Sequence, residues 1–228
     1  MGNPAPNRLN DRGAAHRDTV TASPTMEASG FARAQANETL KQTEPAMAAS
    51  EATAKDTAQR LHIGGKQVKE GWKILNVQPG KSVDFVGDAA NLSQFDDETF
   101  DEVYASHVIE YLGYQKELPA ALKGIHRILK PGGVFRMSVP DLETLCKLFL
   151  HDGIDFNGKF QIMRMMFGGQ VDEHDFHKVG LTWDIARHYF GQAGFKTPRR
   201  VQEFGIFDDA SSLKVGKVLI SLNVEAVR

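Results

Sequence analysis

Cysteine is almost missing from this chain of 228 residues. Cys146 stands alone, so no intramolecular disulfide can hold the fold, and a single thiol fits a reducing compartment. Long apolar runs are missing as well, and none approaches the ~18 residues that a bilayer-spanning helix needs. There is no excess of charge: 27 Lys and Arg face 29 Asp and Glu, a net of -2, which leaves no basic footprint for nucleic acid. The N-terminus has no short apolar core of the secretory type. Position 6 after Met1-Gly2 is Pro6 rather than Ser or Thr, against myristoylation. Asp11 and Asp18 among the first arginines argue against a transit peptide. The expectation is cytoplasmic residence.

The first sixty residues lack what a core is made of. Leu9, Val20 and Leu40 are their only branched aliphatics and Phe31 their only aromatic, while seven basic residues balance seven acidic ones. Such a stretch cannot offset the ~1–2 kcal/mol per residue that ordering a backbone costs. Residues 1–60 are therefore expected to form a segment apart, disordered to about residue 45. The Ala-rich run Ala46–Arg60 is either a marginal helix or a lead-in helix docked on the domain after it. A protein partner would find its handle in this segment.

From Leu61 onward strand-like and helix-like stretches alternate. Strands are expected at Leu61–Ile63, Lys73–Val77, Val83–Val86, Glu102–Ala105 and Val134–Val139, with two more near Arg200–Phe204 and Val218–Val224. Leu118, Leu122, Ile125 and Leu129 recur at i, i+4, i+7 and i+11, one face of a helix, which Lys130 and Pro131-Gly132-Gly133 stop. Leu142, Leu145, Cys146 and Phe149 mark a second helix. Ile185, Ala186, Tyr189, Phe190 and Ala193 mark another, with Gly194 as its C-terminal stop. The alternation predicts one α/β domain over 61–228, a doubly wound, mostly parallel seven-stranded sheet covered on both faces.

Four motifs succeed one another in this domain: LHIGGK at 61–66, VGDA at 86–89, FDEVYASHVIEYL at 100–112 and LKPGGVFRMSVPDL at 129–142. In sequence and spacing they resemble the class I S-adenosylmethionine-dependent methyltransferases of the type 11 kind. The resemblance covers essentially all of residues 61–228, and the block Phe100–Leu142 is its most specific part. It implies a Rossmann-like sheet whose last strand is antiparallel, and S-adenosylmethionine as cofactor. By resemblance, Gly64 and Gly65 let the backbone approach the cofactor's amino-acid end, Asp88 and Ala89 contact the adenine, and Ser106 and His107 end the fourth strand where the methyl group is exposed. Gly64-Gly65 also reads as a plain tight turn, and Asp88 as a helix cap.

Two departures from the family pattern stand out. Only Gly65–Trp72 separate the first two strands, too few for the usual crossover helix, whose N-terminus would face a carboxylate. Lys66 is either a compensating point charge or a solvated loop lysine. The strand-two acid that holds the ribose in the family is replaced by Asn76, with Gln78 as a second candidate, neither carrying charge.

For chemistry, His107 is the candidate general base or a hydrogen-bonded structural histidine, and Glu110, three positions on, either orients it or faces solvent. His177 in the polar stretch FGGQVDEHDFHKVG (167–180) is a candidate acceptor contact. His174 and His177 lack a Cys partner and a third ligand, so no metal is expected. Met163, Met165, Met166 and Phe167 read either as the wall of an acceptor pocket or as core. The expected activity is methyl transfer to a small-molecule or glycan-like acceptor. The alternative is a non-catalytic protein that keeps the fold and serves partner binding or assembly. The absence of G-x-G-x-x-G and of an acid at the second strand's end argues against a third reading, nicotinamide-dependent oxidoreduction.

Overall fold

The computed structural model describes residues 57–172 and 175–228. The expectations for the N-terminal segment fall outside them, apart from residues 57–60, which hold no helix and whose last, Arg60, opens the first strand. Short apolar runs become the strands β1 (Arg60–Ile63), β2 (Trp72–Asn76), β3 (Phe85–Val86), β4 (Phe100–Ser106) and β5 (Leu129–Pro140). Near the C-terminus lie β6 (Lys196–Val201), the short pair β7 (Lys214–Val215) and β8 (Val218–Leu219), and β9 (Ser221–Val227). The main sheet runs β3-β2-β1-β4-β5-β9-β6, and β7-β8 form a separate hairpin. The first five strands are parallel, and β9 is antiparallel to both neighbours. This is the expected Rossmann-like sheet with an antiparallel last strand.

The helix missing from the spacing is missing from the fold. Residues 64–71 join β1 to its parallel neighbour β2 without one. Eight extended residues reach ~26 Å, and the return along a five-residue strand needs only ~17 Å, so the crossing is feasible. Residues 77–84 and 87–99 are likewise free of helix. The first helix of the domain, α1 (Glu117–Ile128), comes only after β4. It buries Leu118, Ala121, Leu122, Ile125 and Ile128, and Leu129 already belongs to β5. Residues 130–133 loop out where the β4–β5 register shifts, and Gly133 sits so close that a Cβ would lie 2.9 Å from the Lys130 carbonyl oxygen. The helix α4 (Trp183–Ala193) ends as expected at Gly194, whose φ of 98° suits glycine. It packs beside α1 on one face of the sheet. Leu61, Ile63, Leu75, Val103, Ala105, Phe135, Leu222 and Val224 meet the two helices there in one core.

The other face differs from the expectation of helical cover. At β1, β2 and β4 the described residues that shield it are Phe204 and Phe207, packed on His62, Trp72 and Tyr104, and the 3-10 turn Ala210–Ser212. With the crossovers 64–71 and 77–84 too short for helices, a C-terminal loop covers this face. Tyr104 Oη donates to Asp209 at 2.8 Å and pins that loop. Along the same face one row of paired residues alternates in sign: Arg60–Glu102 at 3.5 Å, Glu102–Arg136, Arg136–Glu225 at 2.8 Å and Glu225–Arg199 at 2.6 Å. Cross-strand pairing of opposite charges supports the register there.

Between β5 and α4 the chain forms α2 (Leu142–Phe149) and α3 (Phe156–Phe167), which pack on each other. Leu145, Ile162 and Ile220 centre this second small core, with Met165 and Met166 against it. Those two methionines are therefore core, while Met163 and Phe167 are exposed.

Candidate active site

Strand order reverses between β1 and β4, since β2 and β3 lie on one side of β1 and β5 on the other side of β4. In open α/β sheets ligands bind beyond the carboxyl ends of the strands at such a switch point. A cavity of about 380 Å³ opens there. Its wall includes Gly64, Lys66, Asn76, Gln78, Asp88, Ala89 and His107. The rim adds Tyr111, Glu117, Phe176 and Lys178. Of the residues expected at the site, Gly65, Ser106, Glu110 and His177 are not in the wall.

Each residue reaches its place for a local reason. Gly64 ends β1 with φ of 75° and donates its N–H to Leu75 O at 2.7 Å, and a Cβ there would run into Val108 Cγ2. Gly65 has a packing reason of its own: a Cβ would lie 2.5 Å from the ring of buried His62, on the far face of the sheet. Asn76 spends its amide on the backbone, donating to Gly65 O at 3.2 Å and accepting from Gln78 N at 3.0 Å. It thereby ties the ends of β1 and β2 together. Asp88 accepts from Ala90 N through Oδ1 at 2.8 Å, an Asx turn, and is otherwise exposed. Ser106 shares a row with Ser138 on β5, and its hydroxyl is buried.

His107 is the pivot. Its N–H continues the β4–β5 ladder to Ser138 O at 2.8 Å, and then its φ of 53° turns the chain into the 3-10 turn Ile109–Tyr111. Ser221 gives its hydroxyl proton to Ala210 O at 2.7 Å, so it accepts at Oγ from His107 Nε2–H, 3.1 Å away. That leaves Nδ1 bare, 3.4 Å from Glu110 Oε1. Burial lowers the imidazole to about 4, and burial pushes the Glu110 carboxyl up to about 8. Both shifts favour the neutral forms near pH 7, with the Glu110 carboxyl 3.4 Å from Nδ1. Glu110 is only 1% exposed, and its backbone carbonyl accepts from Lys178 and Val179, which fixes the rim segment.

His177 packs edge-on against Tyr111, with ring centroids 4.9 Å apart, and burial lowers its pKa. Tyr111 donates to Asp175 at 3.3 Å. Glu117 accepts from Gly113 N and from Lys178 Nζ at 3.0 Å, contacts that hold its carboxyl below the usual range. Tyr111, Glu117 and Lys178 carried no signal in sequence: the last two pair across 61 positions, beyond any local spacing rule. Asp141 lies away from the cavity, buried and paired with Arg200 at 3.1 Å.

Residues 46–137 match the model of a family described as methyltransferase domain. The matched span takes in β1 through most of β5 and so the whole cavity floor. No curated protein matches the chain. Solved structures similar to it include a protein from Bordetella parapertussis (13% identity, TM-score 0.49), of which the chain spans 62% while 75% of this chain is covered. A SAM-dependent methyltransferase from Archaeoglobus fulgidus is 14% identical, with a TM-score of 0.48 over 75% of this chain and 87% of that one. The 1,6-didemethyltoxoflavin-N1-methyltransferase of Burkholderia thailandensis, solved with S-adenosylhomocysteine, is 16% identical with a TM-score of 0.44, over 75% and 71%.

Proposed function

We propose that the switch-point cavity holds S-adenosylmethionine and that the chain methylates a small-molecule or glycan-like acceptor entering past the Tyr111–Lys178 rim. The observation that carries this reading is the cavity itself, with Gly64, Asn76, Gln78, Asp88 and Ala89 in one wall at the reversal of strand order. The donor set fits the cofactor. Asp88 keeps one carboxylate oxygen beyond its Asx turn for the adenine amino group. Gln78 offers its amide to the ribose hydroxyls, a task Asn76 leaves open because its own amide serves the backbone. Lys66 supplies a cation for the carboxylate in place of the missing helix N-terminus.

The cofactor brings an activated methyl group on a sulfonium, and the protein's work is to hold an acceptor in line with it. His107 acts in positioning: with one nitrogen donated to Ser221 and the other turned to Glu110, it fixes the kink that carries Val108 and Tyr111 to the cavity. Glu110 holds the ring from below and the rim segment through its carbonyl. His177 steadies the Tyr111 ring. A wall that sets Tyr111 and Phe176 beside the Glu117–Lys178 pair suits an acceptor with one apolar face and several polar groups, as a sugar ring or a small heterocycle has.

Calorimetric titration of the full chain with S-adenosylmethionine and S-adenosylhomocysteine tests the reading. Micromolar binding to the parent and at least tenfold weaker binding to Asp88→Ala are expected. A folded parent that binds neither ligand would favour a partner-binding role for the fold. Unchanged affinity in Asp88→Ala would move the cofactor elsewhere.

A further inference from the structure

The outer face of α3 is built the wrong way round for a helix that meets only water. Phe156, Phe160, Met163 and Phe167 fall at i, i+4, i+7 and i+11 and form one stripe, 79%, 46%, 36% and 57% exposed. The other side of the same helix is already occupied, with Ile162, Met165 and Met166 packed in the second core. At the end of α2, Leu150 adds a further apolar side chain, 75% exposed. Three phenylalanines in line on ~18 Å of helix exceed the scattered apolar exposure that any surface carries.

The charges around the stripe indicate what covers it. Between Phe156 and Phe167 there is no Asp or Glu, and the two charged residues, Lys159 and Arg164, flank the stripe on opposite sides. Neither has a carboxylate partner among the described residues. The acids lie beyond the two ends of the helix: Asp152 and Asp155 before it, where Asp155 accepts from Gly158 N at 2.8 Å as the cap, and Asp172 and Asp175 after it, where Asp175 accepts from Tyr111 at 3.3 Å. A row of aromatic residues with cationic flanks is the arrangement of a helix lying in the plane of an anionic lipid interface, with rings among the acyl chains and ammonium and guanidinium groups at the phosphates. A second copy of the chain fits less well, because stacking two stripes brings Lys159 and Arg164 against their own counterparts.

We propose that α3 docks the protein peripherally on an anionic membrane. The consequence reaches the cavity. Gly168 ends α3, His177 N donates back to Phe167 O at 3.2 Å, and the same short segment delivers Phe176 and Lys178 to the rim. A lipid surface held by α3 therefore lies beside the mouth through which an acceptor enters. The docking itself does not depend on the proposed activity.

Co-sedimentation of the full chain with vesicles tests this, using phosphatidylcholine alone and phosphatidylcholine with one third phosphatidylglycerol. The parent should sediment with the anionic vesicles and much less with the neutral ones. Lys159→Gln with Arg164→Gln should lower partitioning roughly thirtyfold, from ~1 kcal/mol per cation near the surface. Phe156→Ser with Phe160→Ser should lower it at least tenfold, with an unchanged circular dichroism spectrum because both rings are exposed. A folded parent that ignores anionic vesicles overturns the proposal, as does equal binding by the Phe→Ser variant. Light scattering that shows a dimer of the parent and a monomer of that variant would give the stripe to a second copy instead.

Discussion

Replacing Glu110 by Gln should make the protein more stable at neutral pH and flatten its stability between pH 6.5 and 8. The carboxyl is 1% exposed, and burial raises it from 4.5 to about 8. A raised acid binds its proton in the native state while the unfolded chain has released it, so stability falls as pH rises between these two values. Each pH unit in that window costs about 1.4 kcal/mol, and the full penalty approaches about 5 kcal/mol above pH 8. Below pH 6.5 the signal is mixed. His107 and His62, both lowered by burial to about 4, lose stability as pH falls through the range from 6.5 to 4, and so oppose Glu110. Between 6.5 and 8 the histidine contributions are common to parent and variant, so the parent should lose about 2 kcal/mol relative to Glu110→Gln. The assay is urea unfolding at fixed ionic strength at pH 6.5, 7.25 and 8, parent against Glu110→Gln. Gln keeps the volume and a donor toward His107 Nδ1. Parallel, flat curves would refute the reasoning, for they would mean that Glu110 is ionised in the native protein and paired with a protonated His107.

Gly64→Ala should destabilise by roughly 1–3 kcal/mol, since it combines a positive φ with a collision at Val108, and denaturant midpoints would show it. Gly65→Ala should also destabilise, through His62, and adding His62→Ala should recover part of the loss; additive effects in the double variant would contradict the contact. Tyr104→Phe removes the hydroxyl that donates to Asp209 and should cost about 1 kcal/mol, with earlier proteolysis in the 202–212 loop. Binding of cofactor by that variant should be unchanged, as Tyr104 lies on the face away from the cavity.

Much of the frame was legible because it depends on near neighbours. The spacing of Leu118, Leu122 and Ile125 made α1, since a helical face repeats within the helix itself. Gly194 stopped α4 because only a left-handed residue closes that turn cheaply. The count from Gly65 to Trp72 ruled out a crossover helix by length alone. Sequence also marked Gly64, Asn76, Gln78, Asp88 and Ala89, all of which share one cavity wall.

Contacts made at long range were decided only in the folded chain. Gly65 read with Gly64 as a cofactor turn or a plain tight turn, and only the fold shows that a side chain there would meet the ring of His62 across the sheet. His107 read as a base or as a structural histidine, and its partners came only with the fold: Ser221, 114 positions away, takes one ring nitrogen and buried Glu110 faces the other. The loop with Phe204 and Phe207 replaces helices on a face whose exposure no local pattern reveals. In α3 the apolar period is the same whether a face meets a core or the solvent, so only tertiary packing could show that Ile162 is inside and Phe156 outside. Periodicity states which residues share a side; what lies opposite that side is set by the rest of the chain.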